Sequence, residues 1–307
     1  MSKIHLALEK AEKERIGELK KKVGVPLSVE REAQAGQGVN PPAVRLDQLK
    51  YDASLVSLYQ PHSLVSEQFR KLRTHLLRLS LSRPVKTIMV TSANQGEGKS
   101  FVSANLAIGI AFDLQLHALL VDCDLRNPTV SPLFGSGDNR GISDYLIGGE
   151  DISNFLVKTE LEKLSFIPGG TIPDNPVELI GSRRMASLVE ELKARYENRF
   201  IIFDSTPLLA TAEPGVLAKL VDGIIIVVRA GQTPRETVQQ ALGSLDKEKI
   251  LGVVLNQVEF KSSALFKRYF GSNGHYSGYG YGYAHNQPGP PKSFWQKLLP
   301  GRKERGL

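Results

Sequence analysis

The chain alternates between short runs that are apolar throughout and longer stretches with helical periodicity. The apolar runs are rich in β-branched residues and occupy residues 87–90, 118–121, 164–167, 200–203, 223–228 and 250–255. Strands without polar positions are buried on both faces, which is typical of parallel sheets covered by helices. The pattern predicts a doubly wound α/β fold with a mostly parallel sheet and ligands at the carboxyl ends of its strands.

Two helical patterns precede the first strand. Residues 3–23 have an apolar stripe and Ser2 as a candidate N-cap, and residues 24–49 lack periodicity and read as a linker. A second helix is predicted from residue 64, with Glu67, Arg70 and Arg73 at three-residue spacing. This spacing places the three charges on one face, where Glu67 can pair with Arg70. Such a face is either a salt-bridged surface or a contact with a neighbouring subunit.

The first strand runs into the sequence TSANQGEGKS, residues 91–100, and an apolar helix pattern follows at 101–112. A strand, a glycine-containing loop and a helix that begins at Gly-Lys-Ser bring backbone N–H groups and the helix dipole onto a phosphate. In such a loop Lys99 reaches the β- and γ-phosphates and Ser100 offers its hydroxyl to Mg²⁺. The usual motif has glycine where this chain has Ala93. The alternative is an ordinary turn that contains Gly-Lys-Ser. The predicted nucleotide-binding residues are Gly96, Glu97, Gly98, Lys99 and Ser100.

Two further strands end in carboxylates. The sequence ALLVDCDLR, residues 118–126, carries Asp122 and Asp124, and FIIFDSTP, residues 200–207, carries Asp204. Carboxylates near bound phosphates can hold Mg²⁺, and one of them could accept a proton from an attacking hydroxyl. Aspartates also follow buried strands simply as helix caps.

Taken together, these motifs resemble those of a known enzyme family. The set ANQGEGKS, LLVDCDLRNP and FIIFD, preceded by EQFRKLR and followed by a tyrosine cluster, resembles bacterial tyrosine autokinases (BY-kinases) of exopolysaccharide and capsule loci. The similarity covers about residues 60–285, and the opening MSKIHLALEKAEK is similar to the N termini of members without a transmembrane adaptor in the same chain. The resemblance implies a P-loop NTPase fold, with ATP and Mg²⁺ as cofactors.

The resemblance also implies roles for individual residues. Asp122 and Asp124 would position Mg²⁺ and activate the tyrosine hydroxyl, while Asp204 would support the metal. The implied catalytic residues are Lys99, Asp122, Asp124 and Asp204, and the implied metal ligands are Ser100, Asp122 and Asp204. Glu67, Arg70 and Arg73 match the E-x-x-R-x-x-R element through which subunits of the family contact each other in a ring. The sequence departs from the family pattern at Ala93, Asn94-Gln95 and Ser205-Thr206-Pro207. These departures remove no charged catalytic group, so they bear on the rate of the reaction more than on its type.

The C-terminal segment has the composition of a disordered tail. Residues 271–291 are rich in Gly, Pro and Tyr and almost free of aliphatic residues, so they cannot form a core. Five of the nine tyrosines lie there or just before it and are the predicted autophosphorylation sites: Tyr269, Tyr276, Tyr279, Tyr281 and Tyr283. Each phosphate adds about −1.5 to −2 charges, so two phosphotyrosines would cancel the local positive charge and more would reverse it, which is expected to loosen the ring. The alternative to a phosphorylated tail is a low-complexity segment that associates non-specifically with other molecules.

These observations predict three regions: an N-terminal helix and linker (1–60), a kinase domain (61–260) and a tyrosine-rich basic tail (261–307). Net charge is +7, with basic clusters at both ends that suit an anionic surface, and one cysteine fits a reducing cytoplasm. No apolar stretch is long enough to span a membrane. The predicted location is cytoplasmic, at the inner face of the plasma membrane through a partner. No nucleic-acid recognition motif accompanies the basic residues.

The predicted function is an ATP-dependent protein tyrosine kinase that phosphorylates its own tail, in trans within an oligomer, and regulates exopolysaccharide export and chain length. The resemblance implies a transmembrane polysaccharide co-polymerase as activator and a cognate tyrosine phosphatase. One alternative is a partition-type ATPase, which uses a lysine at the position of Asn94. The other is a nucleotide-binding scaffold without kinase activity.

Overall fold

The computed structural model describes residues 50–137, 140–195 and 198–258. The N-terminal helix prediction, the linker prediction and the tyrosine-rich tail lie outside these residues. The described residues contain a seven-stranded sheet in the order β3-β4-β2-β5-β1-β6-β7. Its strands are β1 (Thr87–Ser92), β2 (His117–Asp122), β3 (Val157–Lys158), β4 (Leu164–Ile167), β5 (Arg199–Asp204), β6 (Gly223–Arg229) and β7 (Ile250–Asn256).

The helices of the described residues connect these strands. They are α1 (Val56–Tyr59), α2 (Leu64–Ser82), α3 (Lys99–Ala111), α4 (Val130–Leu133), α5 (Ile142–Gly148), α6 (Pro176–Ile180), α7 (Arg183–Arg195), α8 (Glu213–Leu220) and α9 (Arg235–Gly243). Two short 3₁₀ segments, Ile152–Phe155 and Lys247–Lys249, complete the regular structure. Helix α2 begins at the Ser63 cap, whose side chain accepts a hydrogen bond from the backbone N–H of Ser66.

All neighbouring strands are parallel except β3 and β4, which are antiparallel. Strand β1 is buried along its whole length because it lies between β5 and β6, with helices above and below. Two apolar clusters cover the two faces of the sheet, one around α2 and α3 and the other around α7, α8 and the strands. The doubly wound, mostly parallel fold predicted from the apolar pattern is confirmed.

Helix α3 is apolar on nearly every side because it lies between the sheet and α2. The rings of Phe69 on α2 and Phe101 on α3 meet edge to face, with centroids 5.8 Å apart. Leu55 and Leu58, which precede residue 61, are also fully buried in this cluster. The arrangement fixes the start of α3, and with it the loop after β1.

Candidate active site

The loop between β1 and α3 has the geometry of a phosphate-binding loop. Gly98 is the residue before the first turn of α3, and its φ of +91° lies in the left-handed region. A Cβ at this position would lie 2.1 Å from Nδ2 of Asn256, so only glycine fits. Ala93 is fully buried and does not have a positive φ, so a methyl group is accommodated where the usual motif has glycine. The first backbone N–H groups of α3, which lack partners within the helix, therefore lie at the carboxyl edge of the sheet, where a phosphate could accept from them.

The aspartates predicted from the strand ends come together beside this loop. Asp122 and Asp204 are register partners on the adjacent strands β2 and β5, and both are fully buried. Nζ of Lys99 lies 3.1 Å from Oδ2 of Asp124. The backbone N–H of Asp124 donates to Oδ1 of Asp122 at 3.1 Å. One lysine and three carboxylates thus share a small buried volume at the start of α3.

The two buried carboxylates differ in their hydrogen bonds. Oδ2 of Asp122 accepts from the backbone N–H groups of Thr129 and Val130, both at 2.9 Å. Asp122 therefore shapes the loop after β2 as well as facing the site. Asp204 accepts from the hydroxyl of Ser103 through Oδ1 at 2.9 Å, whereas its buried Oδ2 has no hydrogen-bond partner in the described part of the chain.

Burial and mutual repulsion change the protonation of this pair. Burial and the neighbouring Asp204 raise the pKa of Asp122 well above its ordinary value. Burial also raises the pKa of Asp204 to about 6, although the charge of Lys99 and the hydroxyls of Ser100 and Ser103 act in the opposite direction. Burial likewise raises the pKa of the Cys123 thiol, which fits an inert buried cysteine. The carboxylates are the groups at this edge that a cation would stabilise most.

The oxygen atoms of the site fit Mg²⁺. The unpartnered buried Oδ2 of Asp204 is the kind of atom that a hard cation would satisfy, and the Ser100 hydroxyl lies close enough to act on the same carboxylate. Among the described residues no three acidic, histidine or cysteine side chains form a complete metal cage. Magnesium is usually held by one or two carboxylates together with phosphate oxygens, so an all-protein cage is not needed.

Several residues around the site were not found from sequence. Arg126 donates from Nε to Oε1 of Glu213 at 2.7 Å, and Glu213 is buried although it opens α8. Thr233, in the turn after β6, donates its hydroxyl to Oε1 of Glu97. Asn256, at the end of β7, donates from Nδ2 to the carbonyl oxygen of Glu97 at 2.8 Å. The one available sequence signal was that Asn256 directly follows a predicted strand, residues 250–255.

The charged residues of α2 lie away from this cluster. Glu67 and Arg70 form the pair that their spacing predicted, at 2.7 Å, and Nη1 of Arg70 also donates to the carbonyl of Pro61 at 2.6 Å. Arg73 donates from Nη1 to the carbonyl of Gly109 at 2.9 Å, which ties α2 to α3. A surface groove of about 380 Å³ runs along these residues and is otherwise lined mainly by basic side chains, including Lys71 and Arg78. The predicted tail acceptors Tyr269 to Tyr283 lie outside the described residues.

Comparison with known proteins agrees with this geometry. A family model described as an AAA domain matches residues 85–250. The tyrosine-protein kinase YwqD of Bacillus subtilis is 36% identical over 205 residues, which cover 66% of this chain and 85% of YwqD. The chain belongs to the bacterial tyrosine-protein kinases. The enzyme class predicted from the motifs, protein-tyrosine kinase, is thereby confirmed.

Solved structures of the family align with this kinase. The kinase domain of the Escherichia coli tyrosine kinase ETK is 28% identical with a TM-score of 0.64, and the alignment covers 75% of this chain and 84% of that domain. The chimerical protein CapA2B2 is 32% identical with a TM-score of 0.63, over 68% of this chain and 92% of the chimera. In the described part of the kinase, no helix is both long and apolar enough to cross a lipid bilayer.

Proposed function

We propose that this kinase transfers the γ-phosphate of Mg-ATP to the tyrosines of its own C-terminal tail, in trans within a ring of subunits. The observation that supports this proposal most directly is that Lys99, Asp122, Asp124 and Asp204 come together at the start of α3. They lie beside a phosphate-binding loop whose conformation requires glycine at position 98. P-loop enzymes position phosphates and neutralise their charge, and little else is required of the protein. The site has one cation for the phosphates and carboxylates for the metal and the proton.

In the proposed reaction, Lys99 and the backbone N–H groups at the start of α3 bind the phosphates. Ser100, Asp122 and Asp204 would hold Mg²⁺, whose charge would neutralise negative charge on the phosphate oxygens. The tyrosine oxygen forms a bond to the γ-phosphorus, the bond from that phosphorus to the β–γ bridging oxygen breaks, and ADP leaves. The phenolic proton passes to an aspartate.

Hydrogen bonding favours Asp124 over Asp122 as the proton acceptor. Both oxygens of Asp122 already accept backbone N–H groups, whereas Asp124 accepts one, from Asn127, through Oδ1 only. Its Oδ2 is paired with Nζ of Lys99 at 3.1 Å. Phosphates that bind to Lys99 would draw its ammonium group away from Asp124. Oδ2 of Asp124 would then be free to accept the tyrosine proton. Asp122 would serve chiefly to hold the loop after β2 and the metal.

The proposed acceptors follow the last strand of the sheet. Strand β7 ends at Asn256, at the same carboxyl edge as the phosphate loop, and the tyrosines begin at Tyr269 and end at Tyr283. These tyrosines lie 11 to 25 residues beyond residue 258, and a flexible chain of that length would span roughly 18 to 28 Å. This distance is suitable for reaching the site of an adjacent subunit. The basic groove on α2 supports that helix as the subunit contact.

The proposed setting is the synthesis of an exopolysaccharide at the inner face of the plasma membrane. A transmembrane polysaccharide co-polymerase would recruit and activate the cytoplasmic kinase, and a cognate tyrosine phosphatase would reverse the modification. Phosphorylation would then control polymer export and chain length through the assembly and release of the ring. The positive net charge of the chain is compatible with an anionic leaflet nearby.

The test is mass spectrometry of the full chain after incubation with Mg-ATP, with phosphate mapped on residues 261–307. Lys99→Met should abolish the tail phosphates, while the matched control Lys158→Met, an exposed lysine on β3, should not. Transfer in trans is tested by mixing the Lys99→Met chain with an active chain truncated after residue 258. Phosphate on the Lys99→Met tail would support the proposal. ATP hydrolysis without phosphotyrosine, even with the cytoplasmic part of the membrane partner added, would favour an ATPase, and neither activity would favour a scaffold.

A further inference from the structure

The phosphate loop contains a carboxylate that the proposed chemistry does not use. Glu97 lies between Gly96 and Gly98, where a negative charge would oppose a bound phosphate, yet its residue is only 2% exposed. A buried carboxylate needs partners, because an unpaired one is costly. The partners of Glu97 come from three separate segments at the carboxyl edge of the sheet.

These partners hold both the side chain and the backbone of Glu97. Oε2 accepts from the backbone N–H of Asn94 at 2.9 Å, within the phosphate loop itself. Oε1 accepts from the hydroxyl of Thr233, which is 136 residues further along the chain. The carbonyl oxygen accepts from Nδ2 of Asn256 at 2.8 Å. We call Glu97, Thr233 and Asn256 the loop latch.

The latch is itself fastened to the sheet. The backbone N–H of Ala230 donates to the carbonyl of Asn256 at 2.9 Å, which joins the ends of β6 and β7. The backbone N–H of Thr233 donates to the carbonyl of Arg229, so the turn that carries the hydroxyl is closed. The amide of Asn256 occupies the space that a side chain on Gly98 would need. Rigid strands therefore fix the position of the phosphate loop through two side chains.

We propose that Thr233 and Asn256 are positioning residues that act through Glu97. They keep its carboxylate turned away from the phosphates and hold the loop in its anion-binding form before nucleotide arrives. A preformed site loses less conformational entropy on binding than one that must be ordered, so the latch contributes to nucleotide affinity. This inference rests on the proposed function only in that the loop binds the phosphates of a nucleotide.

The test is the Kd for Mg-ADP, measured by calorimetry on the full chain, together with KM and kcat for tail phosphorylation. Thr233→Val keeps the size of the side chain and removes the hydroxyl, and we expect its Kd to rise about tenfold because a buried carboxylate oxygen loses its donor. Thr233→Ser restores the hydroxyl and should bind within about twofold of the wild type. Asn256→Asp keeps the shape but loses the donor to Glu97, and its Kd should also rise about tenfold.

Two further readouts separate positioning from general stability. Because the latch acts before the reaction, KM should rise with Kd while kcat at saturating ATP stays within about threefold of the wild type. If Thr233 acts through Glu97, the double variant Glu97→Gln/Thr233→Val should bind no more weakly than the weaker of the two single variants. Additive losses, or equal losses for Thr233→Val and Thr233→Ser, would overturn the proposal. An unchanged Kd in both Thr233→Val and Asn256→Asp would also overturn it.

The binding assay distinguishes this inference from the kinase proposal. Wild-type protein that binds Mg-ADP but forms no phosphotyrosine, even with the cytoplasmic part of the membrane partner added, would refute the proposed function and leave the latch measurable by Kd. Wild-type protein that phosphorylates its tail, with latch variants that bind as tightly as the wild type, would support the proposed function and refute the latch. Should Thr233→Val fail to fold, Asn256→Asp provides the same comparison from the other side of Glu97.

Discussion

The buried carboxylate pair predicts that Asp204, one of the proposed metal ligands, weakens the fold of the nucleotide-free protein. Asp204 and Asp122 face each other on adjacent strands, both fully buried, and Oδ2 of Asp204 has no partner in the described residues. Replacing Asp204 by Asn removes a buried negative charge and changes the volume of the side chain very little. We expect Asp204→Asn to abolish tail phosphorylation and to raise the free energy of unfolding at neutral pH.

The magnitude follows from the pKa. A rise from the ordinary value of 3.8 to about 6 corresponds to about 3 kcal/mol of destabilisation when the group is ionised. The pKa of about 6 already includes the preference of the Ser103 hydroxyl for an ionised carboxylate, and the amide oxygen of Asn can still accept from that hydroxyl. The expected gain for Asp204→Asn at pH 7.5 is therefore about 3 kcal/mol.

The pH dependence has a defined sign. Because the folded pKa of Asp204 lies above the unfolded value, the folded protein keeps this proton over a range in which the unfolded chain has lost it. The wild type therefore loses stability as pH rises from about 4 through about 6, and the penalty is complete above that range. The advantage of Asp204→Asn should grow over the same range and then stay constant.

The assay is urea unfolding with EDTA and without nucleotide, at several pH values from 4.5 to 7.5. Asp174→Asn is the matched control, because Asp174 is exposed and no hydrogen bond to its carboxylate is found within the described segments. The control keeps Asp204, so its free energy of unfolding should change with pH in parallel with that of the wild type. An Asp204→Asn protein less stable than the wild type at pH 7.5, or a stability difference that does not vary with pH, would refute the reasoning.

Three other changes have defined outcomes. Gly98→Ala should weaken Mg-ADP binding at least tenfold by calorimetry, because its Cβ would lie 2.1 Å from the Asn256 amide at a left-handed φ. Lys99→Met should lower tail phosphorylation at least a hundredfold in a phosphotyrosine immunoblot, because the phosphates lose their buried cation. Asp222→Ala should lower the free energy of unfolding by about 2 to 4 kcal/mol at pH 7, because two backbone N–H groups at the start of β1 and the ammonium of Lys193 lose their acceptor. Burial alone would raise the pKa of Asp222, but these donors outweigh burial, and the pKa is lowered. The stability that Asp222 contributes is therefore lost as pH falls through the lowered pKa. In urea unfolding, the difference in stability between the wild type and Asp222→Ala should shrink over that range.

The sheet could be predicted from sequence because its strands are buried on both faces. Six apolar runs matched six strands to within one or two residues at each end, and α2 began at the predicted residue. Strand β3 was missed because Val157 and Lys158 form a two-residue strand that shows no periodicity. A strand of that length exists only through its pairing with β4.

The site was predicted where chemistry is concentrated in a local motif and missed where it depends on contacts distant in sequence. Lys99 and the aspartates lie in recognisable strand-end sequences, and the structure brings them together. Thr233 and Asn256 contact Glu97 across 136 and 159 residues, and no local pattern reports such a contact. Helical periodicity likewise does not predict the hydrogen bond from Arg73 to the Gly109 carbonyl. The periodicity places Arg73 on one face of the helix but does not identify the residue that it contacts.

The central position of β1 also determines when the site can form during synthesis. In the described sheet, strand β1 pairs only with β5 and β6. Thr87 can pair only after Ile201 has been synthesised, and Met89 can pair with β6 only after Ile224 has been synthesised. The ribosome must therefore produce more than a hundred further residues before the phosphate loop has a strand to support it, and pairing at such separation is slow. A chain released early would contain the complete Gly-Lys-Ser motif and no nucleotide site. Nucleotide binding is therefore possible only after the ribosome has translated past the end of β6.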